Sequence, residues 1–287
     1  MKIIFIKVLV GILFGVAFGL ISVPLSKKLI LSRSEDPGDV IVLRKKSTYI
    51  LTALAGAVSA VGFILTADDE TVLIRNLALL LPMLAIAIVD SLIRKIPNSL
   101  LLVMIITQAA YIAYVCITSH TIYALVNAGI GFFLGFFAFT IPSFLKVPVG
   151  AGDVKYSAVI GMIMYIGCYL QVMMIVGILV LAVYIILKAT KRGGMKTLIP
   201  MGPFISASTV ISMCFPVLNS LVVLENKFLL VVDNGSLCGC GSCVDAQENR
   251  ASGLLDISSC NLRLAVSFLE SLIFLFIFEE RLNILRT

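Results

Sequence analysis

Charged and polar residues gather in short clusters along this chain, and between them run stretches with almost no charge, at 8–25, 48–67, 77–93, 99–118, 122–145 and 203–224. The alternation of apolar and polar residues that marks a barrel strand is absent from them. A helix needs about 20 apolar residues to cross a hydrocarbon core of about 30 Å, and in lipid the backbone must satisfy its own hydrogen bonds. Each stretch therefore predicts a spanning helix, and the fold class is an all-α transmembrane bundle. A further uncharged run, 156–187, holds 32 residues. As one helix it would extend about 48 Å, too far for a single crossing. Splitting it near Gly167-Cys168-Tyr169-Leu170-Gln171 gives two helices and brings the expected total to eight spans.

Composition agrees and excludes a soluble fold. Of 287 residues 60% are hydrophobic and 13% charged, and the mean hydropathy is +1.10. No soluble domain with an ordinary surface carries such values, so the expected partner of most side chains is the bilayer. A net charge of +6 would suggest nucleic acid if it formed a surface patch. Spread over membrane loops it reports orientation instead, and no nucleic-acid partner is expected. The first apolar stretch ends in Pro24-Leu25-Ser26-Lys27-Lys28 without a small-residue cleavage pattern, which predicts a first span rather than a removable signal.

Lys and Arg concentrate in alternate connections. Lys27, Lys28, Arg33, Arg44, Lys45 and Lys46 follow the first span, Arg94 and Lys95 the third, Lys146 and Lys155 flank the next such connection, and Lys188, Lys191, Arg192 and Lys196 the last. The other connections hold little beyond Arg75, read here as a loop residue beside Asp68, Asp69 and Glu70, and the Ser119-His120 turn. The positive-inside bias then places the amino terminus outside, despite Lys2 and Lys7, and the first long loop in the cytoplasm.

In that frame two carboxylates share a depth just inside the cytoplasmic boundary. Asp90 lies near the end of an inward-running span, and Asp153 begins an outward-running one. Ionisable groups at membrane depth are costly, so each is a candidate functional residue. Pro97 is expected to stop one helix, with Asn98 or Ser99 capping the next, and Gly150 and Gly152 to allow positive φ and close approach of another chain around Asp153. Two such carboxylates suit peptide hydrolysis by an activated water. One accepts the water's proton, while the other, protonated, polarises the carbonyl and supplies the leaving amine. The helix dipole favours an anion at Asp153 and not at Asp90, which assigns Asp153 as base and Asp90 as proton carrier.

A lone Asp at a helix end is also an ordinary interface charge, and a lone Gly-x-Gly-Asp an ordinary turn; their combination at one depth is what points to chemistry. Lys155, Arg94 and Lys95 read as headgroup anchors that could also tune the pair. His120 reads as a loop residue on the far side, and Phe132, Phe133, Phe136, Phe137 and Phe139 as lipid or bundle packing.

Three segments in this order, Val89-Asp90 with Ile96-Pro97-Asn98, Gly150-Ala151-Gly152-Asp153-Val154-Lys155, and Ile199-Pro200-Met201-Gly202-Pro203-Phe204, resemble the successive signatures of the type IV prepilin peptidases, the bacterial GxGD-type intramembrane aspartyl proteases. The resemblance covers 1–225. It implies cleavage of the basic leader of prepilins or pseudopilins at the cytoplasmic face of the bacterial inner membrane, with Asp90 and Asp153 as the catalytic pair. Gly150, Gly152, Lys155, Pro97, Pro200, Gly202 and Pro203 would shape the site or meet the substrate, and no cofactor is expected. For Pro200, Gly202 and Pro203 two readings stay open, a broken helix near the site or a plain loop-to-helix start with Pro203 in the first turn.

Two departures qualify the resemblance. Many members carry a larger first loop with paired CxxC zinc ligands and a methylating activity, whereas 26–47 here has no cysteine. That predicts a peptidase without the methyltransferase. The chain also has a tail, 226–287, with Cys238, Cys240, Cys243 and Cys260, which four-cysteine arithmetic allows to pair in three ways. A metal site built on C-x-C-x2-C is the sharper alternative there, and 262–278 is borderline between a ninth span and an interfacial helix. The expected organisation is thus 1–47 as a reduced amino-terminal region, 48–225 as the membrane bundle and 226–287 as the tail. The competing functional classes are a proton-coupled transporter and a non-catalytic pilus or secretion assembly factor.

Overall fold

The computed structural model describes residues 2–32, 43, 45–67, 69–120, 122–144, 150–189 and 200–215. Arg33, Arg44, Asp68, Lys146, Lys191, Arg192, Lys196, the four tail cysteines and the segment 262–278 lie outside the described residues. Among the described residues the elements are all helical: α1 Lys2–Leu31, α2 Lys46–Thr66, α3 Glu70–Ile93, α4 Asn98–Ser119, α5 Tyr123–Phe144, α6 Ala151–Ala189 and α7 Gly202–Cys214. The first six of these are long and apolar enough to cross a membrane. The protein is a multi-pass, all-α membrane bundle, as the hydropathy pattern predicts.

Small residues hold the helices together. On α1 a Cβ at Gly15 would stand 2.3 Å from the Gly56 carbonyl oxygen of α2, and one at Gly19 would stand 2.3 Å from that of Thr52. Backbones this close gain dispersion contacts that lipid cannot offer, which is how membrane helices associate without a hydrophobic effect between them. The pairing of α5 with α6 uses the same device, since Cβ atoms at Gly131 and Gly161 would each collide with the other's carbonyl oxygen. Against the first of these pairs lies α3, buried over most of residues 79–92 and packed on α1, α2, α4 and α7.

Several boundaries differ from the hydropathy reading. Pro24 does not end the first span; α1 runs through it to Leu31. The Ser22 and Ser26 hydroxyls on either side of it donate to the carbonyls of Gly19 and Ser22, both at 2.7 Å, and so satisfy their own polar atoms within the helix. Arg75 is not a loop residue. It lies in the second turn of α3, 3% exposed, with its guanidinium donating to Asn76 Oδ1 and sitting 4.6 Å from the Tyr111 ring centroid. Pro97 occupies the N-cap of α4 and Asn98 is its first helical residue, with no side-chain cap.

The long run does break, at Tyr165 rather than at Gly167–Gln171. Tyr165 has φ 54° and ψ −176°, and the helix on each side is regular. The hydroxyls of Ser157 and Tyr169 meet at 2.6 Å, although a continuous helix would hold those positions about 18 Å apart along its axis. The chain therefore reverses, and 166–189 returns beside 151–164. Since 151–164 extends only about 21 Å, the reversal falls within membrane depth, where irregular backbone is tolerated only inside protein. Tyr165 is accordingly 2% exposed. The return also explains how Gly202 comes back to the end of the bundle from which α6 departs.

Candidate active site

Three chain segments converge at one end of the bundle: the end of α3, the start of α6 and the start of α7. Asp90 is in the last turn of α3 and 4% exposed. After it the helix closes on Arg94, which adopts φ 52° and donates its backbone N–H to the Asp90 carbonyl at 3.0 Å. That left-handed residue turns the chain sharply toward Pro97 and α4. The Arg94 side chain is exposed, and its charge reaches the Asp90 carboxyl.

Asp153 is in the first turn of α6 and half-buried. Its carboxyl accepts the backbone N–H of Gly150. The two carboxyls are near enough for the charge on Asp90 to act on Asp153. The glycines serve this closeness, though not by the expected route, because neither Gly150 nor Gly152 takes a positive φ. A Cβ on Gly150 would stand 2.8 Å from Asp153 Oδ2, and one on Gly152 would stand 3.2 Å from the Ile96 Cβ. Gly152 thus lets the start of α6 rest on the turn after α3.

The third segment touches Asp90 directly. Gly202 donates its backbone N–H to Asp90 Oδ2 at 2.8 Å. Of the two readings of Pro200-Met201-Gly202-Pro203, the geometry is the loop-to-helix start: α7 begins at Gly202 with Pro203 in its first turn, and Pro200 and Pro203 are buried. A proline there costs no hydrogen bond, and the free Gly202 N–H is the first-turn donor aimed at the carboxylate.

One turn further in, Tyr156 and Ser206 bind hydroxyl to hydroxyl at 2.7 Å, and Ser206 also donates toward the carbonyls of Gly202 at 2.9 Å and Met83 at 3.3 Å. This fully buried pair ties α6, α7 and α3 beneath the carboxyls, and nothing in the motifs pointed to it. A shallow groove between α2, α3 and α7, with Thr52, Ala87, Ser91 and Pro203 on its walls, runs beside Asp90's neighbour Ser91. Lys155 and Lys95 are exposed at this end, as headgroup anchors would be, and Pro97 is buried beneath the turn. His120 is exposed at the carboxyl end of α4, remote in sequence and in helix direction from both aspartates. Phe133, Phe136 and Phe137 form an exposed ladder on α5, in keeping with lipid packing. Among the described residues no three His, Cys, Asp or Glu side chains gather as metal ligands would.

The two carboxyls thus stand on converging helix ends, and each takes a backbone N–H. Residues 77–187 match the family model of the type IV leader peptidase family. The match takes in Asp90, Pro97, Gly150, Gly152, Asp153 and Lys155, and it supports the resemblance read from the motifs and a leader peptidase of the prepilin type. It stops short of Pro200, Gly202 and Pro203, which the fold itself brings to the leader-peptidase segment. No curated protein and no solved structure matches the chain significantly.

Proposed function

We propose that the chain is an intramembrane aspartic endopeptidase that removes the basic leader of prepilin or pseudopilin-like substrates at the cytoplasmic face, with Asp90 and Asp153 as its catalytic pair. The observation that carries this reading is the convergence of the two carboxyls at one bundle end, each taking a backbone N–H from a glycine, Gly202 for Asp90 and Gly150 for Asp153. The water stands between the carboxyls. Asp153, favoured as an anion by the amino terminus of α6, takes its proton as the oxygen attacks the scissile carbonyl. Asp90, near the carboxyl terminus of α3, carries the proton that polarises that carbonyl and then passes to the leaving amine. With Oδ2 engaged by Gly202, Oδ1 is the oxygen left for that proton.

The substrate must meet the pair as locally extended chain, since a helix shields its carbonyls. Lys27, Lys28, Arg94, Lys95 and Lys155 sit toward the same end as the carboxyls and favour a cytoplasmic site in a bacterial inner membrane. The absence of cysteine from 26–47 favours a peptidase without the methylating activity. No cofactor enters the scheme, because water is the nucleophile and the protein holds both proton carriers.

The test uses the full chain reconstituted in lipid with a model prepilin. Wild type releases the leader, while Asp90→Asn and Asp153→Asn each abolish release and keep the wild-type melting temperature within a few degrees. Release that survives either substitution defeats the pair. Proton-coupled uptake without proteolysis by the wild-type chain would assign the carboxyls to transport instead.

A further inference from the structure

At the opposite end of α3 and of the first half of α6, a second buried polar cluster links three helices. Arg75 of α3 lies over the Tyr111 ring of α4 at 4.6 Å and donates to its neighbour Asn76 at 2.7 Å and 3.1 Å. Tyr165 of α6, the residue at which the helix reverses, is within reach of the Arg75 charge and of the Gln108 side chain of α4. Gln108 is fully buried, and its Nε2 donates to the Met162 carbonyl at 3.4 Å. That bond has a clear physical cause. When a helix stops at Tyr165 the carbonyls of its last turn lose their partners, and at membrane depth no water replaces them. Gln108 supplies a donor from another helix.

A buried arginine in a spanning helix is costly, and it is retained where it holds something in place. What this one holds is the register between the two helices that carry the carboxyls. From Arg75 to Asp90 along α3 is about 22 Å, and from Tyr165 back to Asp153 along α6 is about 18 Å. The two segments are thus joined at one end by the Arg75 cluster and meet at the other as the carboxyl pair. We infer that Arg75 and Gln108, through Tyr165, are positioning residues that set the depth of the α6 reversal and thereby the approach of Asp153 to Asp90. The inference rests on the reading of Asp90 and Asp153 as the acid/base pair. A shift of about 1 Å in such a pair can cost on the order of a hundredfold in rate.

Two readouts on the full chain in lipid test it. In Arg75→Gln and Gln108→Leu proteins kcat for prepilin cleavage should fall roughly tenfold to a hundredfold with KM within about twofold, and Arg75→Lys, which keeps the charge over Tyr111, should recover most of the loss. The second readout needs no activity. Ile96→Cys with Gly152→Cys should form a disulfide, mapped by mass spectrometry, because a Cβ at Gly152 stands 3.2 Å from that of Ile96 and disulfides place these atoms about 3.8 Å apart. Adding Arg75→Gln should slow that cross-link at least severalfold. A cross-link that forms at the unaltered rate overturns the inference whether or not cleavage is lost, and so does unchanged kcat. Cleavage persisting in Asp90→Asn would defeat the catalytic reading alone, and the cross-linking comparison would still decide the role of Arg75.

Discussion

The backbone N–H of Gly202 points at Asp90 Oδ2 from 2.8 Å away, joining residues 112 positions apart in sequence. The contact needs a glycine for room rather than for φ. A Cβ on Gly202 would stand 2.7 Å from Asp90 Oδ2, 2.8 Å from its Cβ and 2.9 Å from its Cγ. Neither α7 nor the end of α3 can give way easily, because both are buried along their contact. Gly202→Ala should therefore push Asp90 off its place and lower kcat/KM for prepilin cleavage by roughly tenfold to a hundredfold. The overpacked site should also lose about 1–3 kcal/mol of stability in thermal unfolding of the reconstituted protein. Wild-type kcat/KM in Gly202→Ala would show that the α7 contact is dispensable.

The pairing of α5 with α6 gives a cleaner stability test, because the helices carry glycines in two kinds of place. A Cβ on Gly161 would lie 2.1 Å from the Gly131 carbonyl oxygen, a distance that only separation of the helices relieves. Around Gly177, on the returning half of α6, a Cβ would meet no atom within 4 Å. Gly161→Ala should cost about 1–3 kcal/mol, whereas Gly177→Ala should be neutral or stabilise by up to about 1 kcal/mol through helix propensity. Equal melting temperatures for the two variants would argue that α5 and α6 do not pack through these glycines.

How much of this was legible in the sequence depends on what each residue must do. The first five spans were legible because lipid imposes length and apolarity on every crossing, and the aspartates because two carboxylates fall at one depth beside their motifs. Gly202 stood out only through its motif; its direct bond to Asp90 is a long-range contact that no local pattern encodes. Arg75 was misplaced because it follows Asp68, Asp69 and Glu70, and a charge cluster looks like a loop when the ring that accepts the guanidinium is Tyr111, 36 residues later. Tyr165 was missed by two residues for a related reason. Glycine is the residue expected at a reversal, but here the break is stabilised from outside, by Gln108 on α4, so the breaking residue itself carries no signal. The α1 glycines Gly11, Gly15 and Gly19 lie four apart and all three face α2, where Cβ atoms would stand 2.7 Å from Ile64 Cδ1 and 2.3 Å from the carbonyl oxygens of Gly56 and Thr52, a spacing that hydropathy alone does not single out.

Orientation can be measured at two exposed residues on opposite ends of one helix. Lys95 precedes α4 on the side of the carboxyls, and Ser119 closes it on the other. Arg94 and Lys95 by the first and the uncharged turn at the second are the local form of the charge bias on which the proposed cytoplasmic position of the carboxyls rests. In intact cells a membrane-impermeant maleimide should label Ser119→Cys and leave Lys95→Cys untouched, with the unsubstituted chain as the baseline for native cysteines. Opening the cells should bring Lys95→Cys up to the same labelling. The reverse pattern would put Asp90 and Asp153 on the outer face, where a basic leader retained in the cytoplasm could not reach them, and the proposed substrate would have to be abandoned even if the carboxyl pair were catalytic.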